Sequence, residues 1–154
     1  MRILLVEDER RIAGFRTVAN KQNIRLEYKT PEEMKFSGDA QMLRRIFSNL
    51  IDNALKHAES LVKITAERRD NFYEINVSDD GSGIPANAQP HIFERFYRAK
   101  KARLREEENI STGSGAGLGL AISKFIAEAH EGTLALIKSD ATGSIFSIQF
   151  PAEK

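Results

Sequence analysis

Between Asp39 and Ala58 the apolar residues Met42, Leu43, Ile46, Leu50, Ile51, Ala54 and Leu55 recur mostly three or four positions apart. Side chains at those intervals lie over one another on a helix, so these residues trace one buried stripe. Asp39 is the N-cap expected for that helix. A long helix with a single apolar face needs a second layer to cover it, and the rest of the chain has to supply one. Residues 60–68 and 71–78 read as strands joined by the polar turn Arg69-Asp70-Asn71, and residues 132–138 and 144–150 as a second hairpin. Ile24, Leu26 and Tyr28 alternate with charged neighbours in a half-exposed strand that Pro31 ends. Ile12, Phe15, Val18 and Ala19 predict a helix over 9–22, Leu118 to His130 predicts another, and Arg2 to Val6 reads as a short buried strand. Local strand pairs with helices between them predict an α/β two-layer sandwich, a mixed sheet covered on one face by helices, and not the regular alternation of a doubly wound sheet.

The 154 residues predict one domain, and 41% apolar with 29% charged residues suits a packed core. The 23 Lys and Arg against 22 Asp and Glu leave a net charge of +1. Such a chain has no general field for nucleic acid or an anionic membrane, so any phosphate binding must be local. The absence of cysteine excludes disulfides, zinc–thiolate sites and thiol nucleophiles. No apolar run approaches the roughly 18 residues of a membrane span, and Glu7 and Asp8 come too early for a signal peptide. The expected setting is cytoplasmic, with no nucleic-acid partner and no direct membrane contact, even where a parent protein is membrane-anchored.

Three polar groups stand out. Asn49 and Asn53 lie one turn apart on the long helix, and Lys56 and His57 extend that face. An Asn pair is ordinarily a surface feature, yet its amide oxygen is also a hard ligand suited to Mg²⁺. Asp79-Asp80-Gly81-Ser82-Gly83-Ile84-Pro85 follows a strand directly. It is either a plain acidic turn or a carboxylate placed to accept from an amine beside close-approach glycines. Gly113, Gly115, Gly117 and Gly119 alternate up to a helix start, where bare N–H groups form an anion site. No Gly-Lys-Ser/Thr follows, so this is not a Walker A loop. Each group has a bland reading; their order and separation together do not.

Residues from about 36 to 152 resemble the catalytic, ATP-binding domain of a sensor histidine kinase of the GHKL (Bergerat-fold) superfamily. Asn49-Leu50-Ile51-Asp52-Asn53-Ala54-Leu55-Lys56-His57 is similar to the N box, and Asp79 to Gly83 to the first glycine box. Ile92-Phe93-Glu94-Arg95-Phe96-Tyr97-Arg98 resembles the F box, and Gly115-Ala116-Gly117-Leu118-Gly119-Leu120 the second glycine box. The resemblance implies a Bergerat-type fold in which Asp79 receives the adenine amino group, with Gly81 in the loop and Gly83 and Ile84 lining the base. Asn53 would hold Mg²⁺ against the phosphates, with Asn49, Lys56 and His57 beside the ribose and phosphates. Gly115, Gly117, Leu118, Gly119 and Leu120 would face the phosphates, residues 98–114 would form a lid, and Arg98 would reach a phosphate. Hydrolytic relatives carry a Glu where this chain has Asn49. An Asn is no general base, so Asn49 implies a kinase that positions Mg-ATP for another nucleophile, by alignment and electrostatics.

Two features depart from the family. A histidine kinase phosphorylates a His on a helical dimerisation domain, and His57, His91 and His130 are all better read as pocket-lining or surface residues. The expected partner is therefore a separate His-bearing dimerisation domain, with a response regulator downstream and this chain monomeric alone. Residues 1–22 also resemble the first strand and helix of a response-regulator receiver, with Glu7 and Asp8 as its paired acids. Either that start is a coincidence or the chain is a chimera; the Met at position 1 favours the chimera. Two rival functions are an anti-sigma-type serine kinase, which the F box and long lid oppose, and a non-catalytic nucleotide-binding scaffold.

Overall fold

The computed structural model describes residues 9–31, 34–35, 37–97 and 118–153. The expected Arg2–Val6 strand, Glu7 and Asp8, the lid over 98–114, Arg98, Gly115 and Gly117 lie outside the described residues.

In chain order the elements are α1 (Glu9–Lys21), β1 (Arg25–Lys29), α2 (Ala40–His57), β2 (Leu61–Arg69) and β3 (Phe72–Asp79). A 3₁₀ turn at Gln89–His91 precedes α3 (Gly119–Ala129), β4 (Thr133–Asp140) and β5 (Gly143–Pro151). The strands form one sheet in the order β1-β2-β3-β5-β4. β1 runs parallel to β2 and every other pairing is antiparallel, giving the mixed sheet expected from the hairpins.

Period-two alternation builds the core. Val62, Ile64 and Ala66 of β2, Tyr73, Ile75 and Val77 of β3, and Phe146, Ile148 and Phe150 of β5 are buried together. They join Leu43, Ile46, Phe47, Leu50, Ile51, Ala54 and Leu55 of α2 and Ile126 and Ala127 of α3 in one cluster. The sheet is therefore covered on the face where the helices lie. Met42 corrects the expected stripe: it is 49% exposed, whereas Phe47 is buried. At about 100° per residue, Met42 falls outside the arc centred near Leu43, Phe47 and Ala54.

Local chemistry sets the ends of α2. The Asp39 carboxylate accepts from the Met42 N–H at 3.0 Å, and the Ala58 N–H closes the last turn on Ala54 O. A second restraint spans the fold: the Asp39 N–H donates to His130 Nε2 at 3.0 Å, while His130 Nδ1 donates to Ile126 O at 2.8 Å. His130, expected at a surface or pocket wall, instead bolts the end of α3 to the start of α2.

Candidate functional site

The C-terminal half of α2, the loop after β3 and the start of β5 meet in a cleft. It is lined by Asn53, His57, Asp79, Ser82, Gly83, Ile84, Ser144 and Phe146 and holds about 250 Å³ of empty space, its open mouth included. Of the expected residues, the structure brings Asn53, His57, Asp79, Gly83 and Ile84 together. Asn49, Lys56, Gly81, Leu118, Gly119 and Leu120 do not line it.

Asp79 and Asp80 are adjacent and do opposite things. Asp80 Oδ1 accepts the backbone N–H groups of Glu59, Ser60 and Leu61 at 3.0, 2.9 and 3.0 Å, and Oδ2 accepts the Ser60 hydroxyl. A carboxylate offers about four acceptor sites, so Asp80 has little capacity left for a ligand. Burial works to raise its pKa, but these four donors together outweigh it and hold the group well below the ordinary carboxylate range. Asp79 Oδ1 accepts the Gly81 N–H at 2.9 Å, and the side chain lines the cleft. Burial pushes its carboxyl above the usual value, with Asp80's charge adding to the rise. The Gly81 N–H, His57 and the Ser144 N–H pull the other way without cancelling the burial. Neighbouring acids driven in opposite directions have divided their roles: one is tied up in the backbone, one faces the open cleft.

The glycines of this loop are fixed by packing within the protein. A Cβ on Gly81 would lie 2.0 Å from His57 O, and one on Gly83, whose φ is +78°, 2.1 Å from Asp140 O. Ile84 is placed by its N–H, which donates to Ser139 Oγ at 2.7 Å, and by its carbonyl, which accepts from Gln89 Nε2 at 2.9 Å. Ser139 Oγ lies 2.8 Å from Ser144 Oγ, so the β4–β5 hairpin and the cleft wall share one network. Phe146 meets Phe93 edge-on, with ring centroids 6.2 Å apart, and Lys124 Nζ stands 5.0 Å over the Phe93 ring. The F-box-like segment thus buttresses the cleft from behind.

Along the Asn-bearing face of α2 the two amides part company. Asn53 is half-buried in the cleft, and its side chain makes no hydrogen bond to any described residue. Asn49 Nδ2 donates to Gly119 O at 3.3 Å and to Ser123 Oγ at 3.1 Å, tying α2 to the first turn of α3. Leu118 sits at the N-cap of α3, and no side chain among the described residues caps that helix start. Lys56 is exposed, and its charge acts on Asp52. His91 pairs with Glu94 at 2.8 Å on the surface. Ser144, Phe146 and Asp80 were not singled out in the sequence, because each acts through partners far away in the chain.

A family model described as "Histidine kinase-, DNA gyrase B-, and HSP90-like ATPase" matches residues 38–154. The chain belongs to this family. It is 38% identical over 143 residues to the sensor-like histidine kinase SenX3 of Mycobacterium tuberculosis, covering 92% of this chain and 33% of that protein. The chain therefore spans about a third of the length of that curated relative. The mycobacterial sensor histidine kinase MprB superposes with a TM-score of 0.78 at 26% identity, over 99% of this chain and 97% of that one. Full-length ShkA in complex with AMPPNP superposes with a TM-score of 0.79 at 25% identity, over 100% of this chain and 31% of that one. The architecture is accordingly that of histidine kinase catalytic domains, with α1 and β1 inside the superposed region.

Proposed function

We propose that the cleft binds Mg-ATP and that the chain is the catalytic domain of a protein-histidine kinase, presenting the γ-phosphoryl group to a histidine on a separate dimerisation domain. The observation that carries this reading is the division between the two acids. Asp80 is saturated by protein donors, whereas Asp79 is a raised, cleft-lining carboxylate with free acceptor capacity at the end of a strand. Such a group suits an exocyclic amine, with Gly83 and Ile84 beside a flat base. The AMPPNP complex of ShkA supports the same ligand class.

The residues present fit Mg²⁺. No cluster of three or more His, Asp or Glu able to hold a metal occurs among the described residues, so a divalent ion would depend on phosphate and water oxygens plus few protein ligands. Mg²⁺ binds in this way, and the Asn53 amide, which has no hydrogen-bond partner among the described residues, offers it one oxygen. Bound there, the ion would neutralise phosphate charge as transfer proceeds. The uncapped start of α3, with Gly119 and Leu120 in its first turn, offers N–H groups to the phosphates. Asn49 has no titratable proton for base catalysis, and its amide is engaged in holding that helix start. In this reading Asn49 acts by positioning. The relatives' names favour a histidine over a serine acceptor. Expected partners are the His-bearing dimerisation domain and, through it, a response regulator. The expected setting is cytoplasmic; no helix among the described residues is long and apolar enough to cross a membrane.

Calorimetric titration with a non-hydrolysable ATP analogue, with and without Mg²⁺, tests the reading. The wild-type chain should bind saturably and Asp79→Asn should lose roughly a hundredfold in affinity, the scale of a buried charge-assisted hydrogen bond. Absence of binding by the folded wild-type chain would overturn it. Binding without phosphotransfer to any added His-bearing dimerisation domain would favour a nucleotide-binding scaffold.

A further inference from the structure

Asp80 makes the densest set of side-chain hydrogen bonds among the described residues, and the chemistry proposed above does not use it. Its carboxylate gathers three consecutive backbone N–H groups, those of Glu59, Ser60 and Leu61, together with the Ser60 hydroxyl. Its own N–H donates to Leu61 O at 3.2 Å. Those partners form the link between α2, which ends at His57, and β2, which begins at Leu61.

One cleft wall is α2, carrying Asn53 and His57; the other is the end of β3, with Asp79, and the loop after it, with Gly83 and Ile84. Among the described residues, only Asp80 fastens the loop to the residues immediately following that helix by side-chain hydrogen bonds. One residue further on, Gly81 packs so closely on His57 O that no side chain fits. With the β2–β3 ladder and the Gly81–His57 packing, the Asp80 carboxylate is thus one of the contacts that relate the Asp79 wall to the Asn53 wall.

We infer that Asp80 is a positioning residue: its carboxylate fixes the separation of the Asn53 wall from the Asp79 wall, and so couples adenine recognition to Mg-dependent phosphate binding. The inference rests on the nucleotide reading of the cleft. A residue that merely satisfied backbone donors would be replaceable by any acceptor of sufficient reach. A residue that sets a distance would not.

Two substitutions separate these cases. Asp80→Asn keeps an oxygen at the same reach for the three N–H groups, and its amide can donate to Ser60 Oγ. Asp80→Glu keeps the carboxylate and adds one methylene, which pushes the walls apart. Neither strips the three N–H groups of an acceptor, as Asp80→Ala would, so both variants should fold. The quantity read is the gain in affinity for a non-hydrolysable ATP analogue on adding Mg²⁺, with ADP and adenosine titrated alongside and folding checked by thermal melting. Asp80→Asn should keep the Mg²⁺-dependent gain to within about twofold. Asp80→Glu should lose fivefold or more of it, while its adenosine affinity, read through Asp79, changes less than threefold. A folded Asp80→Glu with the wild-type gain would overturn the inference, as would a uniform loss for all three ligands. Failure of the wild-type chain to bind any of them overturns the nucleotide reading and this inference with it.

Discussion

Asn49 on α2 and Ser123 on α3 are joined by a 3.1 Å hydrogen bond between helices, and the same Asn49 amide reaches Gly119 O at the mouth of α3. Ser123 is fully buried. Its hydroxyl therefore holds Asn49, and Asn49 holds the helix start. Ser123→Ala should lower stability by about 1–2 kcal/mol, the cost of a buried hydrogen bond with one partner left behind. It should also weaken a triphosphate analogue more than adenosine, because the phosphate side of the cleft loses its anchor. Thermal melting and parallel titrations check both halves.

His130 makes a prediction that separates stability from binding. Its Nε2 accepts the Asp39 N–H, so the ring must be the neutral Nδ1–H tautomer to make both of its bonds. His130→Ala should cost roughly 1–3 kcal/mol by orphaning the Asp39 N–H and opening space beside Gly38. Nucleotide affinity should stay within twofold, since neither end of this link lines the cleft. Denaturant unfolding and calorimetry on one preparation decide the point.

Among the described glycines, Gly143 is the least tolerant of a side chain. Its φ is +133°, and a Cβ would lie 1.9 Å from Asp79 O. Gly143→Ala should destabilise by at least about 2 kcal/mol from strain and overlap, and should distort Asp79. Gly14, whose Cβ would meet nothing within 4 Å, provides the control. Gly14→Ala should match or exceed wild-type melting, since alanine is the better helix former.

Burial raises the Asp79 pKa above 3.8, which fixes two signs. The native state holds that proton more tightly than the unfolded chain, so this group's contribution to stability falls as pH rises from the unfolded value through the folded one. At neutral pH Asp79→Asn should therefore melt slightly higher than wild type while binding nucleotide about a hundredfold more weakly. A ligand amine needs the ionised acceptor, so wild-type affinity should drop as pH falls through the raised pKa, earlier than an ordinary carboxylate would predict. Titrations across the acid range locate the midpoint, and a midpoint at or below the ordinary carboxylate value would contradict the assignment.

Much of the fold was legible because its signals are local. Asp39 capped α2 as its residue type predicts, and Asp70, with φ +49°, turned the β2–β3 hairpin. Alternation marked the buried faces of β2, β3 and β5. The parallel pairing of β1 with β2 and the placement of β5 between β3 and β4 were not legible, since no nearby residue records a partner distant in sequence. Met42 misled because a contact at i+4 says nothing about where the buried arc ends. The same division runs through the site. Asp79, Asn53 and His57 stand in recognisable strings, whereas Asp80, Ser123, His130 and Ser144 act through hydrogen bonds to distant parts of the chain. Asp80 was the hardest to foresee: beside Asp79 it looked like the second half of an acidic turn.

The strand order has a consequence for how the molecule is made. β5 pairs with β3 on one side and β4 on the other and carries Ser144 and Phe146 into the cleft. A nascent chain that has already exposed α2, β2 and β3 therefore holds Asp79 on an open sheet edge, and such edges attract wrong partners. The cleft closes only when residues 143–151 pair with β3, carrying β4 with them as the far edge of the sheet. A ligand that needs Ser144 and Phe146 can then select only molecules whose inner strand is seated, and by mass action it keeps them there.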